Sequence, residues 1–242
     1  MEMSDFLAAL DRDSAAFLDA CEVAGLTNPV ASCPGWNVAD LLWHLTEVHD
    51  FWRTIVAEER ASWEGYEQPP RPVPEGLPAA FRHGRDALLA TLSAADPTTA
   101  VWTWSDNKTI GFVIRRMAQE TAVHLWDAAV AADVVNPVDA PLASDGIDEF
   151  LSYFLADTAQ DAAPVGGSVH IHCGDVPGEW TVREASGGGF DLSREHAKGD
   201  CAIRGTASDI LLALWRRVPL SVCDVVGDAD VAARFIAHTN LE

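Results

Sequence analysis

The stretch "MAQETAVHLWDAA", residues 117–129, decides the fold. It belongs to a longer run, "NKTIGFVIRRMAQETAVHLWDAAVAA" (107–132), whose apolar residues recur at helical spacing. Ile110, Val113, Met117, Glu120, His124 and Asp127 follow the alternating three-and-four spacing of a bundle seam. Three polar side chains therefore interrupt an apolar face within two turns. A seam needs facing helices, and the preceding sequence supplies them. Phe6, Leu7, Leu10, Phe17, Leu18 and Cys21 outline a first amphipathic helix stopped near Gly25. "PGWNVAD" is a turn into a second helix, with Asn37 as N-cap and Asp40 at N3, running to about Glu59. A proline-rich loop, "EQPPRPVPEGLP", leads to a third helix through "AAFRHGRDALLATLSAA". Four helices of this length predict an up-and-down bundle over residues 1–135.

Beyond "DVVNPVDAP", read as a linker, "LASDGIDEFLSYFLADTAQDA" predicts a fifth, bridging helix, so that residues 136–163 connect the bundle to the remainder. From Pro164 the period changes. "SVHIHCG", "EWTVREA", "GFDLSRE" and "CAIRGT" alternate with period two between Gly-containing turns, the pattern of an antiparallel sheet. "TASDILLALWRRV" and "DADVAARFIAHT" close the chain as capped helices, making residues 164–242 an α+β domain.

The formal charge of −21 over 242 residues argues against nucleic acid and anionic membrane surfaces as partners, because both are bound through Lys and Arg. With no signal-like N-terminus and no run of eighteen apolar residues, a cytoplasmic location is expected. The five cysteines are widely spaced without a C-x-x-C pair, so they read as buried free thiols rather than disulfides or a thiolate metal site.

On the second helix the seam runs through Leu41, His44, Val48, Phe51 and Ile55, which points His44 inward. A lone histidine on an apolar stripe is more often a core residue bonded to a backbone carbonyl, but His44 faces a helix that carries Glu120 and His124. An unpaired buried carboxylate costs several kcal/mol, so Glu120 must be partnered or bound to a cation. Glu120 and His124, at i and i+4, share a face and can ligate one ion. A buried Glu–His ion pair would also explain their spacing, yet leaves His44 without a reason. Two imidazoles and a carboxylate form the ligand set of a catalytic zinc site, and other divalent metals suit the same donors. Asp40 and Asp127, near His44 and His124 respectively, can orient the imidazoles or serve as capping and solvated residues. His49 falls off the seam and is expected at the surface or rim. His170 and His172 share a face of the "HIHC" strand with no evident carboxylate nearby, so they are read as ordinary strand residues. "SGGGF" (186–190) is a hairpin turn, since no helix follows it to hold a phosphate.

"CPGWNVADLLWHL" and "RRMAQETAVHLWDA" together resemble the mycothiol-dependent maleylpyruvate isomerase family of actinobacteria, within the wider DinB-like metal-binding bundle superfamily. The resemblance spans nearly the whole chain. It implies a DinB-like four-helix bundle followed by a sterol-carrier-like α+β domain, with a zinc or other divalent metal held by His44, Glu120 and His124. It also implies mycothiol as thiol cosubstrate, activated by the metal. Thiolate addition to a cis double bond, rotation and expulsion of the thiol would give the trans isomer; without the leaving step the product would be a stable thiol conjugate. The substrate is expected to be a small electrophilic or cis-unsaturated acid, and the protein a monomer or homodimer. Arg216 and Arg217 match the region where the family places a cleft arginine, Arg217 more closely, so both are candidates for binding cosubstrate. Arg217 is also a catalytic candidate, with Arg71 as a looser one. A metal-dependent hydrolase and a non-catalytic lipid-binding protein remain the alternative readings.

Overall fold

The computed structural model describes residues 1–155, 164–186 and 189–238. The chain divides into two compact units, Met1–Asn136 and Pro137–Glu242.

The first unit is a four-helix bundle. Helix α1 (Met3–Ala24) stops where Gly25 takes a φ of 84°, a left-handed conformation that glycine reaches without strain. Between α1 and α2 the chain reverses at Pro34-Gly35. The Trp36 amide donates to the Cys33 carbonyl at 3.0 Å and Gly35 has a φ of 86°, the geometry of a turn that wants Pro then Gly at its centre. Helix α2 (Val38–Ala57) opens with the expected capping box, the Asn37 side chain accepting from the Asp40 amide and the Asp40 side chain from the Asn37 amide. Helix α3 (Leu77–Ala94) follows a single 3-10 turn, and α4 (Ile110–Ala131) is capped by the Thr109 hydroxyl. Helix α1 packs on α3 and α4, and α2 on α3 and α4. Phe17, Leu41, Leu42, Leu45, Leu77, Phe81 and Ala128 are completely buried in one cluster, at roughly 1.5–3 kcal/mol for each large apolar side chain.

Helix α2 departs from its predicted seam. Its buried face is Leu41, Leu42, Leu45, His49, Trp52, Ile55 and Val56, whereas His44, Val48 and Phe51 lie half-buried along its edge. The apolar residues fit two neighbouring stripes at helical spacing, and the wider stripe carrying Leu42, Leu45 and Trp52 takes the core because it buries more surface. His49, expected at the rim, is therefore completely buried.

In the second unit, helix α5 (Ala140–Tyr153) packs on α6 (Ala207–Leu214), so it belongs with the α+β unit. The remainder of the expected fifth helix, residues 156–162, lies outside the described residues. Strands β1 (Ser168–Cys173), β2 (Glu179–Glu184), β3 (Phe190–Ser193), β4 (Cys201–Gly205) and β5 (Asp224–Gly227) form a sheet in the order β3-β2-β1-β4-β5. Part of the turn expected at 186–190 is outside the described residues. The sheet is mixed rather than antiparallel. After β3 the chain returns across residues 194–200 to lay β4 parallel to β1, with Ile171 opposite Ile203. Period-two patterning specifies which residues share a face but not the direction of pairing. Strand β5 was not anticipated, its four residues being too few to show a period. Helix α7 (Ala229–Ala237) is capped by Asp228 and packs on β1, β4 and β5. Among the described residues no helix is long and apolar enough to cross a membrane.

Candidate metal centre

Helix α4 carries Glu120 and His124 one turn apart, and the edge of α2 carries His44 to meet them. One oxygen, Glu120 Oε1, lies 3.3 Å from His44 Nε2 and 3.1 Å from His124 Nε2. The two imidazoles meet edge to face with ring centroids 5.0 Å apart. Nitrogen and oxygen ligands about 2.0–2.1 Å from a tetrahedral zinc lie about 3.3 Å from one another, so these separations already suit a shared ion. The donor set is of a type that could hold a borderline divalent cation. The edge position of His44, whose side chain is 32% exposed, leaves this corner of the site open to solvent.

Each of the three side chains is contacted by a second residue. The Arg116 guanidinium donates to Glu120 Oε2 at 2.6 Å, which leaves Oε1 to the histidines. Arg116 is itself buried, one turn before Glu120 on α4. Burial would raise the Glu120 carboxyl, but Arg116 and His124 hold it well below the usual carboxylate range. Asp127 Oδ2 lies 2.8 Å from His124 Nδ1 and accepts its proton, so that Nε2 is the nitrogen presented to an ion. The other Asp127 oxygen accepts from the Ser32 hydroxyl at 2.6 Å, tying the loop before α2 to the site. Burial would lower the His124 pKa, but Glu120 and Asp127 overcome it and push it up to about 9. Trp36, from the Pro34-Gly35 turn, sets its ring 5.0 Å from that of His44, tilted by 55°.

The family models agree with this reading of the helices. Residues 7–129 match the model described as the mycothiol maleylpyruvate isomerase N-terminal domain, and residues 141–234 match the corresponding C-terminal domain. The chain belongs to the mycothiol maleylpyruvate isomerase family. Two crystal structures share this family's fold with it: the mycothiol-dependent maleylpyruvate isomerase and a variant of it with one histidine replaced by alanine. Their TM-scores are 0.63 and 0.65, each at 10% identity over 93% of both chains. No curated protein matches the chain in sequence.

The other candidate residues of this family member have distinct surroundings. Asp40 does not orient His44; it caps α2 and accepts from Arg71 at 2.8 Å, contacts that lower its pKa. Arg71 is exposed. In the second unit, Arg216 ends α6 with a φ of 53° and donates to the Ile236 and Ala237 carbonyls at the end of α7. Arg217 donates to the Trp215 carbonyl at 3.1 Å. His49 bridges α2 to α4 through the Thr121 hydroxyl at 3.1 Å, and burial depresses its pKa to about 3, so it is neutral. Sequence reasoning missed Arg116, although its i,i+4 spacing to Glu120 was a usable signal. It also missed the carboxylate beside His170 and His172: Glu179, on β2, is the register partner of His172.

Proposed function

We propose that the protein is a divalent-metal enzyme that uses mycothiol to isomerise a small cis-unsaturated acid by thiol addition and elimination, in the manner of maleylpyruvate isomerase. The observation that carries this reading is the single Glu120 oxygen shared between two histidine Nε2 atoms on facing helices. His44, Glu120 and His124 would hold the cation, with zinc the first candidate. Bound there, the cation would supply the Lewis acidity that deprotonates a thiol whose free pKa is near 8.5.

The chain's own residues do the rest. Asp127 keeps the His124 proton on Nδ1, and Arg116 compensates the Glu120 charge without occupying Oε1. The half-exposed His44 edge admits the thiol and its electrophile. An acidic substrate needs local positive charge in a protein of net charge −21, and Arg217 is the proposed carboxylate-binding residue, with Arg216 and Arg71 as further candidates. Family membership supports the thiol, and the ligand set supports the metal.

Elemental mass spectrometry of purified wild type and of a Glu120→Ala variant, both folded by circular dichroism, tests the site. The wild type is expected to carry one metal equivalent more than the variant. Thiol-dependent conversion of cis-unsaturated acids should then be present in the wild type and absent in the variant. Equal metal content in the two proteins, even after reconstitution, would sink the proposal. Turnover that persists without any thiol would point instead to hydrolysis through a metal-bound water.

A further inference from the structure

Strand β1 places His170 and His172 two residues apart, on one face of the sheet. The opposite face, through Val169 and Ile171, is completely buried core. The histidine face meets Glu179, paired in register with His172 on the neighbouring β2. The segment returning from β3 to β4 adds His196, 78% exposed, whose ring stands 5.2 Å from that of His170. One oxygen, Glu179 Oε1, gathers the group: His172 Nδ1 lies 2.6 Å from it, His196 Nδ1 3.0 Å and His170 Nε2 3.8 Å.

Hydrogen bonding accounts for one of these contacts, His196 Nδ1 with Glu179 Oε1 at 3.0 Å, and leaves the other two unexplained. His170 is 5% exposed, and its buried Nε2 has no hydrogen-bond partner. His172 Nδ1 is likewise buried without one, because its approach to Glu179 Oε1 is off the line of an N–H bond. Two lone-pair-bearing atoms 2.6 Å apart repel unless something positive lies beside both. A tetrahedral zinc places its N and O donors about 3.3 Å apart, and the separations of 2.6 and 3.8 Å from Glu179 Oε1 to His172 and His170 straddle that value. We propose that His170, His172 and Glu179 form a second binding site, for a borderline divalent cation of the zinc type, on the open face of the C-terminal sheet, with His196 hydrogen-bonded to Glu179 at its rim. Two imidazoles and one carboxylate leave the hard cations Mg2+ and Ca2+ disfavoured. Arg204, the exposed register partner of His172 on β4, adds positive charge at the rim, so affinity rests on the imidazole donors rather than on net negative charge. An ion held here would fix Glu179 and, through its bond to His196, pin the 194–199 segment to β1 and β2.

Calorimetric titration of Zn2+ into the metal-stripped, tag-free full chain tests this site separately from the one on the bundle. The wild type should bind two equivalents, Glu120→Gln one, Glu179→Gln one, and the double variant none. His196→Ala changes an exposed side chain that the fold does not need. It should weaken the second binding event by at least the roughly ten-fold that loss of an outer partner alone costs. A single equivalent in the wild type, abolished by Glu120→Gln and untouched by Glu179→Gln and His196→Ala, would overturn the second site and leave the bundle site standing. A single equivalent abolished by Glu179→Gln and indifferent to Glu120→Gln would support the second site and remove the metal from the proposed function.

Discussion

Glu120 divides its two oxygens between different duties, Oε2 to the buried Arg116 and Oε1 to the two histidines. Replacing Arg116 by Met would leave the part-buried carboxylate with His124 as its remaining compensating charge, at a cost below the roughly 3–5 kcal/mol of a fully buried pair broken from one side. The metal-free variant should therefore melt below the wild type, with added zinc recovering part of the loss in a thermal-melt series. His124 carries a pH dependence whose sign follows from its raised pKa. In the metal-free protein its stabilising contribution is complete below the ordinary pKa of 6.5 and is lost as the pH rises through about 9. Zinc requires the neutral imidazole, so binding at pH 7.5 should release a proton, and apparent affinity should rise about ten-fold per pH unit up to that point. Calorimetry in buffers of different ionisation enthalpy reads both effects. Asp127→Asn keeps the shape of the partner but removes its charge. Zinc affinity should fall about 10- to 100-fold with helicity unchanged.

For the elements, the question is which face each one buries. On α4 the seam at 113, 117, 120, 124 and 127 was legible because polar residues at those positions stand out in an apolar run, and the structure brings Glu120 and His124 together with His44. On α2 the spacing admitted two stripes, and the choice between them was not local. Packing against α3 and α4 selected the stripe that buries His49 and moved His44 to the edge, where it meets Glu120. His49 thus serves the joint between helices, against Thr121 and the Phe81 ring 5.4 Å away. His49→Ala should cost about 2–4 kcal/mol in chemical denaturation through the lost packing and the unpaired Thr121 hydroxyl, while leaving metal content unchanged. The capping box of Asn37 and Asp40 was readable directly, since both partners lie within four residues of each other. The parallel pairing of β1 with β4 was not, because it joins segments about thirty residues apart by geometry that no local pattern encodes.

Across the whole molecule, a charge of −21 means that folding concentrates like charge. Raising NaCl from about 0.02 to about 0.3 M shortens the screening length several-fold and should raise the melting temperature of the metal-free protein. The first unit alone contains His44, Glu120, His124, Arg116, Asp127 and Ser32. Residues 1–136 expressed alone should therefore fold as a helical bundle and retain the Glu120-dependent metal equivalent, read by circular dichroism and elemental analysis. Loss of metal from a folded fragment would count against that division of labour. The sequence by itself determined the helices, their caps, the change from period 3.6 to period 2 near Pro164, and the residue types of the triad, because these follow from spacing along one chain. Only the tertiary structure decided that Arg116 compensates Glu120, that Asp127 rather than Asp40 orients a histidine, that His49 is core, and that Glu179 and His196 close around His170 and His172. Each of those depends on which faces meet across the bundle or sheet, and packing of the whole unit sets that choice.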